Sequence, residues 1–216
     1  MRLLVIGGSR GTGRALVEQA LEAGHDVRVM IRDVGQADAL EAAGATTVVG
    51  DLEGDIDHAF IDVDAVAFCA GSGSKTGPDA TLRVDLHGAV RTFDVCQDKG
   101  VDRYLMLSSI AADDPLRGPS SIQHYLAAKH AADRILLASG LAATIVRPGG
   151  LRHEEGTGNI KIGVPRLDER GTIPRADVAA VMLGCLTRPN TIGSVFELVS
   201  GEQPIGDALD ALGSPG

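Results

Sequence analysis

The feature that most constrains this chain is the alternation of short apolar runs with longer stretches rich in Ala and Leu. Seven runs are rich in β-branched and apolar residues, which is typical of β-strands: RLLVI, DVRVMI, TTVV, DAVAFC, RYLML, ATIV and SVFELV. The stretches between them have helical spacing. Apolar strands joined by helices form a parallel sheet with helices on both faces. The sequence therefore predicts an α/β, doubly wound fold with a mainly parallel seven-stranded sheet.

The length of 216 residues fits one α/β domain, so we expect residues 1–216 to form a single domain. Residues 152–172 are rich in Gly and charge, and their NIKIGV and RGTI pieces predict a hairpin insertion near the substrate edge. The Gly/Pro/Ser-rich segments 71–78 and 113–121 follow predicted strands. Doubly wound folds bind ligands at that edge, so we interpret both segments as active-site loops.

Composition limits the partners of this chain. A formal net charge of −9 argues against nucleic acid and anionic membranes, which reward basic surfaces. No apolar run approaches the roughly 18 residues of a membrane span, and the apolar start RLLVIGG is too short for a signal peptide. We therefore expect a cytoplasmic protein that acts on a small molecule. The three cysteines and six histidines lack the spacing of a metal site, so no metal is predicted.

The stretch IGGSRGTGR lies between the first strand and a helical pattern. Such a glycine turn exposes backbone N–H groups at the positive end of a helix, which suits the pyrophosphate of a dinucleotide. The spacing is Gly-x-x-x-Gly-x-Gly, and the alternative is a purely structural turn. The predicted cofactor-binding residues of this loop are Gly7, Ser9, Arg10, Gly11, Thr12 and Gly13.

The end of the second predicted strand, VMIRD, bears on the choice between NADP and NAD. An acid there accepts the ribose 2′-hydroxyl of NAD, whereas arginines suit the 2′-phosphate of NADP. Arg32 and Arg10 favour NADP (NADPH) over NAD. Asp33 leaves two alternatives open: it contacts the hydroxyl of NAD, or it caps the next helix while Arg32 is solvated.

Two further strand ends extend the predicted cofactor site. In VVGDL, Asp51 and the following Leu52 stand where an adenine edge is read, although an Asp that caps a turn explains the pattern equally well. In FCAGSG, Ala70 and Gly71 allow the backbone to pass beside the cofactor, and the alternative is an ordinary glycine turn.

The helical stretch SSIQHYLAAKHAADRILLASG contains Tyr125 and Lys129, four residues apart and therefore on one helix face. An ammonium beside a phenol favours the phenolate and lowers the pKa of the tyrosine, so that it can exchange a proton with a substrate oxygen. Either serine after the fifth strand, Ser108 or Ser109, can add a hydrogen bond to that oxygen. The structural alternative is a packed tyrosine and a solvated lysine.

In this order, GGSRGTG, GDL, the AG of FCAG, LSSIAA, YLAAK and IVRPGGL resemble the short-chain dehydrogenases/reductases, in their atypical NAD(P)H-binding branch. That branch includes proteins similar to epimerase/dehydratases and to flavin and biliverdin reductases. The resemblance implies a Rossmann domain with Tyr125 as general acid/base, Lys129 as its partner on the nicotinamide ribose and Ser109 polarising the substrate oxygen. Ser108 is the alternative serine, and Pro148 and Gly149 are implied to shelter the nicotinamide carboxamide.

Two positions depart from the family pattern. Asp85 in VDLHG stands where typical members carry an Asn that holds a relay water, and Cys69 replaces the Asn of the usual NAG. We therefore carry two functions forward. The first is an NADPH-dependent oxidoreductase of small carbonyl, quinone or flavin-like substrates, and the second is a non-enzymatic NADP(H) sensor. Residues 141–216 leave little room for the lobe of a sugar-nucleotide epimerase. The family pairs through helices matching 81–99 and 121–139, and homodimer and monomer both stay open.

Overall fold

The computed structural model describes residues 1–73 and 76–213. The predicted loop 71–78 therefore contains two residues, 74 and 75, that lie outside the described part. The strands are β1 Arg2–Ile6, β2 Asp26–Ile31, β3 Thr46–Val49, β4 Ala65–Phe68, β5 Arg103–Leu107, β6 Ala142–Pro148, β7 Gly150–Arg152, β8 Asn159–Gly163, β9 Thr172–Pro174, β10 Val195–Ser200 and β11 Gln203–Pro204.

The helices cover both faces of the sheet, and most of them follow a strand. They are α1 Gly11–Glu22, α2 Ala37–Glu41, α3 Pro78–Thr81, α4 Ala89–Lys99, α5 Gln123–Ala138, α6 Arg175–Leu186 and α7 Ile205–Asp210, and a π-helical segment covers Leu82–Gly88. Among the described helices, none combines the length and the apolar character needed to cross a membrane.

The main sheet confirms the predicted doubly wound α/β fold. Its strand order is β11-β8-β10-β6-β5-β4-β1-β2-β3, and the pairs from β3 through β10 are parallel. The seven parallel strands are the seven predicted from apolar runs. Strand order reverses between β1 and β4, so the carboxyl ends of these strands open the crevice where such folds bind ligands.

The insertion differs from its prediction, because its two strands do not form a hairpin. β8 pairs antiparallel with β10 and with β11, which extends the main sheet to nine strands. β9 instead pairs in parallel with β7 in a separate two-stranded sheet. An open edge at β10 would leave a row of backbone groups unpaired, and β8 satisfies them.

Two apolar layers hold the sheet. On one face α1 and α6 pack together, with Leu16 and Met182 fully buried. On the other face α4 and α5 bury Phe93 and Leu136. The side chain of Arg175, at the start of α6, reaches Gly11 at the start of α1.

The helix predicted after the fourth strand is not regular. Its first part is the short α3, and the π-helical segment Leu82–Gly88 precedes α4. Wide turns of this kind are frequent at functional sites. The segment carries Asp85, the residue that departs from the family pattern, and buries it completely.

Candidate functional site

The glycine loop joins β1 to α1 at the carboxyl edge of the sheet. Gly7 has φ +86°, and a Cβ placed there would stand 2.5 Å from the backbone nitrogen of Ala70. A Cβ on Gly13 would collide with the carbonyl of Gly7. These two glycines are therefore fixed by packing. Gly11, with φ +60°, meets only the side chain of Arg175, so its outer face is open.

The start of α1 is poorly satisfied by the protein itself. Arg10 occupies the N-cap position without capping the helix through its side chain, and the first turn has no acidic residue. The Thr12 hydroxyl is buried and has no hydrogen-bond partner among the described residues. Free backbone donors, an uncompensated helix dipole and an orphaned hydroxyl together fit an anionic group such as a dinucleotide pyrophosphate. Ser9 lies half-buried in the same loop.

The end of β2 presents Arg32 and Asp33, and both are exposed. Asp33 Oδ1 accepts a hydrogen bond from the Gly35 N–H at 2.9 Å and so caps the turn Val34–Gln36. Within the described ranges, Arg32 and Arg10 make neither an ion pair nor a side-chain hydrogen bond. Arg10 reaches toward Gly73, at the start of the loop that follows β4.

The residues that follow β3 and β4 bring mainly backbone, and few free side chains, to the predicted cofactor site. Asp51 Oδ1 accepts a hydrogen bond from the Glu53 N–H at 3.0 Å, which is the turn-capping role anticipated as the alternative, and Leu52 is buried. Ala70 is half-buried and Gly71 is exposed, just after the end of β4. A Cβ on Gly71 would stand 3.1 Å from Asp85 Oδ1.

Tyr125 and Lys129 lie on one face of α5, as their spacing predicts, and Tyr125 is half-buried. The Lys129 Nζ is 5.8 Å from the Tyr125 ring centre and donates a hydrogen bond to the Leu107 carbonyl at 3.1 Å. Lys129 is buried, so its position is set by these contacts and not by solvent. Leu107 ends β5, so α5 presents its pair at the same edge as the glycine loop.

Asp85 is the counter-ion of Lys129. Its Oδ1 lies 3.5 Å from Nζ, and both side chains are at most 3% exposed. Its Oδ2 accepts a hydrogen bond from the Ser72 N–H at 2.9 Å, which ties the loop after β4 to the π-helical segment. The departure from the family Asn therefore gives this chain a buried ion pair inside the site.

The two candidate serines point to different surroundings. Ser108 is buried, and its hydroxyl donates to Asp133 Oδ2 at 2.8 Å, so its side chain is committed to the interior. Ser109 is half-buried; its hydroxyl donates to the Ile110 carbonyl at 3.3 Å and lowers the pKa of Tyr125. The structure therefore brings Ser109, and not the Ser108 side chain, to the Tyr125–Lys129 face.

A second buried ion pair supports this face, and sequence reasoning did not find it. Arg147 Nε donates to Asp133 Oδ2 at 2.9 Å, on the same oxygen that accepts from Ser108. Asp133 is one turn beyond Lys129 on α5. Its spacing after YLAAK placed it on the same helix face, which was the available signal.

The pKa of Tyr125 is shifted in the direction opposite to the one expected from the sequence. Burial raises the pKa of Tyr125, Lys129 lowers it, and the charges of Asp85 and Asp133 raise it again, so the net direction is upward. The expectation that Lys129 draws this pKa below its ordinary range is therefore wrong for the free protein. Burial opposes the charge of Lys129, but Tyr125, Asp85 and Asp133 outweigh burial and raise the pKa of Lys129. Both groups are protonated at neutral pH.

Pro148 is the last residue of β6, and Gly149 follows it beside the insertion. Both are buried, and the Gly149 N–H donates to the Leu198 carbonyl at 2.9 Å. A Cβ on Gly149 would collide with the carbonyl of Gly171, so this turn and the end of the insertion pack backbone against backbone.

A buried carboxylate on β10 connects the two segments expected to face the substrate. Glu197 is fully buried; its Oε1 accepts from the Ala111 N–H and its Oε2 from the Leu167 N–H, both at 2.8 Å. Ala111 lies two residues after Ser109, and Leu167 lies in the insertion. One side chain therefore anchors both segments.

Comparisons with known proteins agree with this geometry. A family model described as NAD(P)H-binding matches residues 7–189. The uncharacterized sugar epimerase YhfK of Bacillus subtilis is 41% identical over 98% of this chain and 100% of its own length.

Two solved structures share the fold over nearly the whole chain. A Bacillus halodurans protein, provisionally named an NAD-dependent epimerase/dehydratase, has a TM-score of 0.95 and 41% identity, covering 98% of this chain and 100% of that one. The oxidoreductase ylbE of Lactococcus lactis has a TM-score of 0.87 and 27% identity, covering 98% and 96%. As the resemblance to the atypical short-chain dehydrogenases/reductases led us to expect, the chain belongs to the NAD(P)H-binding family.

Proposed function

We propose that this chain is an NADPH-dependent oxidoreductase that transfers hydride to a small carbonyl, quinone or flavin-like substrate, with Tyr125 as general acid. The observation that carries the proposal is the half-buried Tyr125 beside Lys129 and Ser109, at the sheet edge that also holds the glycine loop. Relatives are named both for epimerases and for an oxidoreductase, so the reaction is argued from the site.

A reduced nicotinamide, when bound, supplies a hydride. The raised pKa of Tyr125 keeps a proton on its phenol at neutral pH, so Tyr125 can donate that proton to the substrate oxygen. For a carbonyl substrate, the carbon takes the hydride with its electron pair and the oxygen takes the proton, which gives an alcohol. Ser109 donates a hydrogen bond to the same oxygen. The Lys129 ammonium then stabilises the phenolate that remains.

The cofactor preference rests on the free arginines. One carboxylate oxygen of Asp33 accepts a hydrogen bond from the Gly35 N–H. Arg10 and Arg32, by contrast, are exposed and unpaired within the described residues. Two guanidiniums suit a 2′-phosphate, because each forms charge-assisted hydrogen bonds with it.

A titration with NADPH and with NADH tests this preference. We expect NADPH to bind more tightly, and we expect Arg32→Gln to weaken NADPH about 10-fold or more while NADH changes little, since hydrogen bonds to charged groups are worth about 1.5–3 kcal/mol. Arg2→Gln is the matched control, because Arg2 is an exposed arginine at the opposite end of the sheet. Tighter binding of NADH would reverse the assignment.

The proton donor is tested by removing one hydroxyl. Tyr125→Phe is expected to lower kcat about 100-fold or more on carbonyl substrates, in line with the loss of a general acid, and to leave the Kd of NADPH unchanged. Tyr104→Phe is the matched control at the only other tyrosine, whose hydroxyl is buried against Thr92 at 2.6 Å. Full turnover of carbonyls by Tyr125→Phe would refute the role and would move the proposal to flavin or quinone substrates.

The buried Asp85–Lys129 pair favours a second candidate, a non-enzymatic NADP(H) sensor. Asp85 occupies Lys129 and raises the pKa of Tyr125, and both effects oppose proton release. A sensor would turn over none of the substrates in a panel, would bind NADP⁺ and NADPH with different affinities, and would change its affinity for a protein partner between the two. If the protein turns over a substrate and this turnover depends on Tyr125, the enzyme is supported and the sensor is refuted.

The single domain, the cytoplasmic location and the homodimer stay predictions. Exposed Ile135 and Leu137 on α5 support pairing through the helix face 121–139. Light scattering on the purified chain measures this directly, and a monomer at all concentrations would exclude it.

A further inference from the structure

We propose that Arg175, which lies outside the glycine loop, binds the pyrophosphate of the dinucleotide. The inference rests on the proposed function only in requiring that this chain binds a nicotinamide dinucleotide. Neither the family motif nor the sequence analysis gave Arg175 a role.

The first step is its position. Arg175 begins α6, which packs along α1, and Gln19 of α1 donates to the Ala176 carbonyl at 3.0 Å. This contact holds the start of α6 against α1 at a position eight residues beyond Gly11. A Cβ on Gly11 would stand 3.5 Å from Arg175 Nε and 3.7 Å from its Cδ. The guanidinium stem therefore lies over the open face of Gly11, where a pyrophosphate would rest.

The second step is its free hydrogen-bonding capacity. Among residues 1–73 and 76–213, Arg175 makes one side-chain hydrogen bond, from Nη1 to the Leu151 carbonyl at 3.2 Å, and no ion pair. A guanidinium has five N–H donors, so most of them remain available. Asp177, the acid nearest in sequence, is buried and accepts instead from the backbone of Thr157 and Gly158 at 2.9 Å.

The third step is the electrostatic imbalance. A cation at the start of a helix is unfavourable, because the helix dipole is positive there. This chain places Arg10 at the start of α1, whose first turn has no acid, and Arg175 at the start of α6, whose first turn contains only Asp177, which is buried. Such an arrangement contradicts local preference in the free protein, and conflicts of this kind mark functional sites. A bound anion with two negative charges resolves it.

A side-chain hydroxyl at the start of α1 adds an observation that does not depend on the arginines. The Thr12 hydroxyl is buried in the first turn of α1 and lacks a partner among the described residues. Buried polar groups are nearly always hydrogen-bonded, so an orphaned hydroxyl indicates a ligand atom. Thr12 and Arg175 would therefore hold the same anion.

The test compares three ligands on wild type and Arg175→Gln. NADPH and NADH carry the pyrophosphate, whereas adenosine 2′-monophosphate carries only the 2′-phosphate. We expect Arg175→Gln to weaken NADPH and NADH by the same factor, about 10-fold or more, and to leave adenosine 2′-monophosphate unchanged. Arg188→Gln is the matched control, since Arg188 lies at the far end of α6 and pairs with Asp210 at 2.6 Å.

The outcomes separate the two proposals. If wild type binds neither dinucleotide, the proposed function fails whatever Arg175 does. If wild type binds both and Arg175→Gln keeps that affinity, the role of Arg175 is refuted while the function stands. Loss of NADPH binding alone would place Arg175 on the 2′-phosphate and would also refute the inference. Arg175→Lys, which keeps the charge but not the fork, is the second variant if the glutamine protein does not fold; its affinity for both dinucleotides is expected to fall by one common factor, and wild-type affinity would refute the role.

Discussion

Replacing Asp85 by asparagine perturbs the buried charge pair on which the candidate site is built. Asparagine has nearly the same shape and can still accept the Ser72 N–H through its side-chain oxygen. The substitution therefore removes one charge and leaves Lys129, which is 3% exposed, without its nearest counter-ion.

The size of the effect follows from the distance. At 3.5 Å between Nζ and Oδ1, the attraction is about 4–5 kcal/mol at an effective dielectric constant of about 20. Because burying the Asp85 carboxylate costs free energy, removing this charge offsets part of the lost attraction. Lys129 can also lose its proton, which at pH 7 costs about 4–5 kcal/mol from an ordinary pKa near 10.4 and so limits the loss. We expect Asp85→Asn to lower the free energy of unfolding by about 2–4 kcal/mol, or the Tm by roughly 5–12 °C.

The stability difference between wild type and Asp85→Asn should depend on pH in a defined direction. Although burial opposes its charge, the pKa of Lys129 is raised by Tyr125, Asp85 and Asp133. A lysine whose folded pKa is raised contributes stability that is fully present below its ordinary pKa and is lost as pH rises through the folded pKa. Asp85→Asn removes much of that contribution. The difference between wild type and variant should therefore be constant between about pH 6 and 9 and shrink above about pH 10.

Urea denaturation of both proteins across this pH range measures the difference. Asp79→Asn is the matched control, because Asp79 forms an exposed ion pair with Arg83 at 3.0 Å and its loss should leave the stability nearly unchanged. Equal stability of Asp85→Asn and wild type at pH 7, or a difference that does not decline at high pH, would refute the reasoning.

Three further predictions concern packing and the second ion pair. Gly13→Ala forces a Cβ into a backbone carbonyl and is expected to lower the free energy of unfolding by about 1–3 kcal/mol or more, measured by urea denaturation. Gly11→Ala meets only the Arg175 side chain, so it should cost about 1–2 kcal/mol for its φ of +60° and abolish tight NADPH binding in a titration. Arg147→Met leaves the buried Asp133 unpaired and should cost about 3–5 kcal/mol at pH 7. Burial already raises the pKa of Asp133, so this loss should diminish as pH falls, which denaturation at two pH values would show.

Local patterns predicted the parallel sheet and the position of the glycine loop. β1 is apolar and buried from Leu3 to Ile6, and Gly13 is required by its contact with the Gly7 carbonyl in the same turn. Such features depend on neighbours in sequence, and periodicity reports them directly. The choice between Ser108 and Ser109 needed the structure, because only the fold shows that Asp133 draws one of the two hydroxyls inward.

Pairings between distant segments were not predictable in the same way. β8 was expected to pair within the insertion, but it satisfies the edge of β10, which lies more than thirty residues further along the chain. Arg175 meets Gly11 only because α6 packs on α1. The segment IPRADVAA nonetheless contained a signal: a basic residue at the first position of a helix contradicts the preference for acids there.

The carboxylate of Glu197 holds two loop segments through their backbone, independently of the side chains that would contact a substrate. It binds the backbone N–H groups of Ala111 and Leu167 and makes no demand on their side chains. Related chains can therefore exchange the residues that face a substrate while both segments stay hydrogen-bonded to β10. Proline at either position would break the attachment, because it has no N–H to offer. A β-branched residue would also be strained at Ala111, whose φ is +65°. Specificity in this architecture is free to diverge without rebuilding the scaffold beneath it.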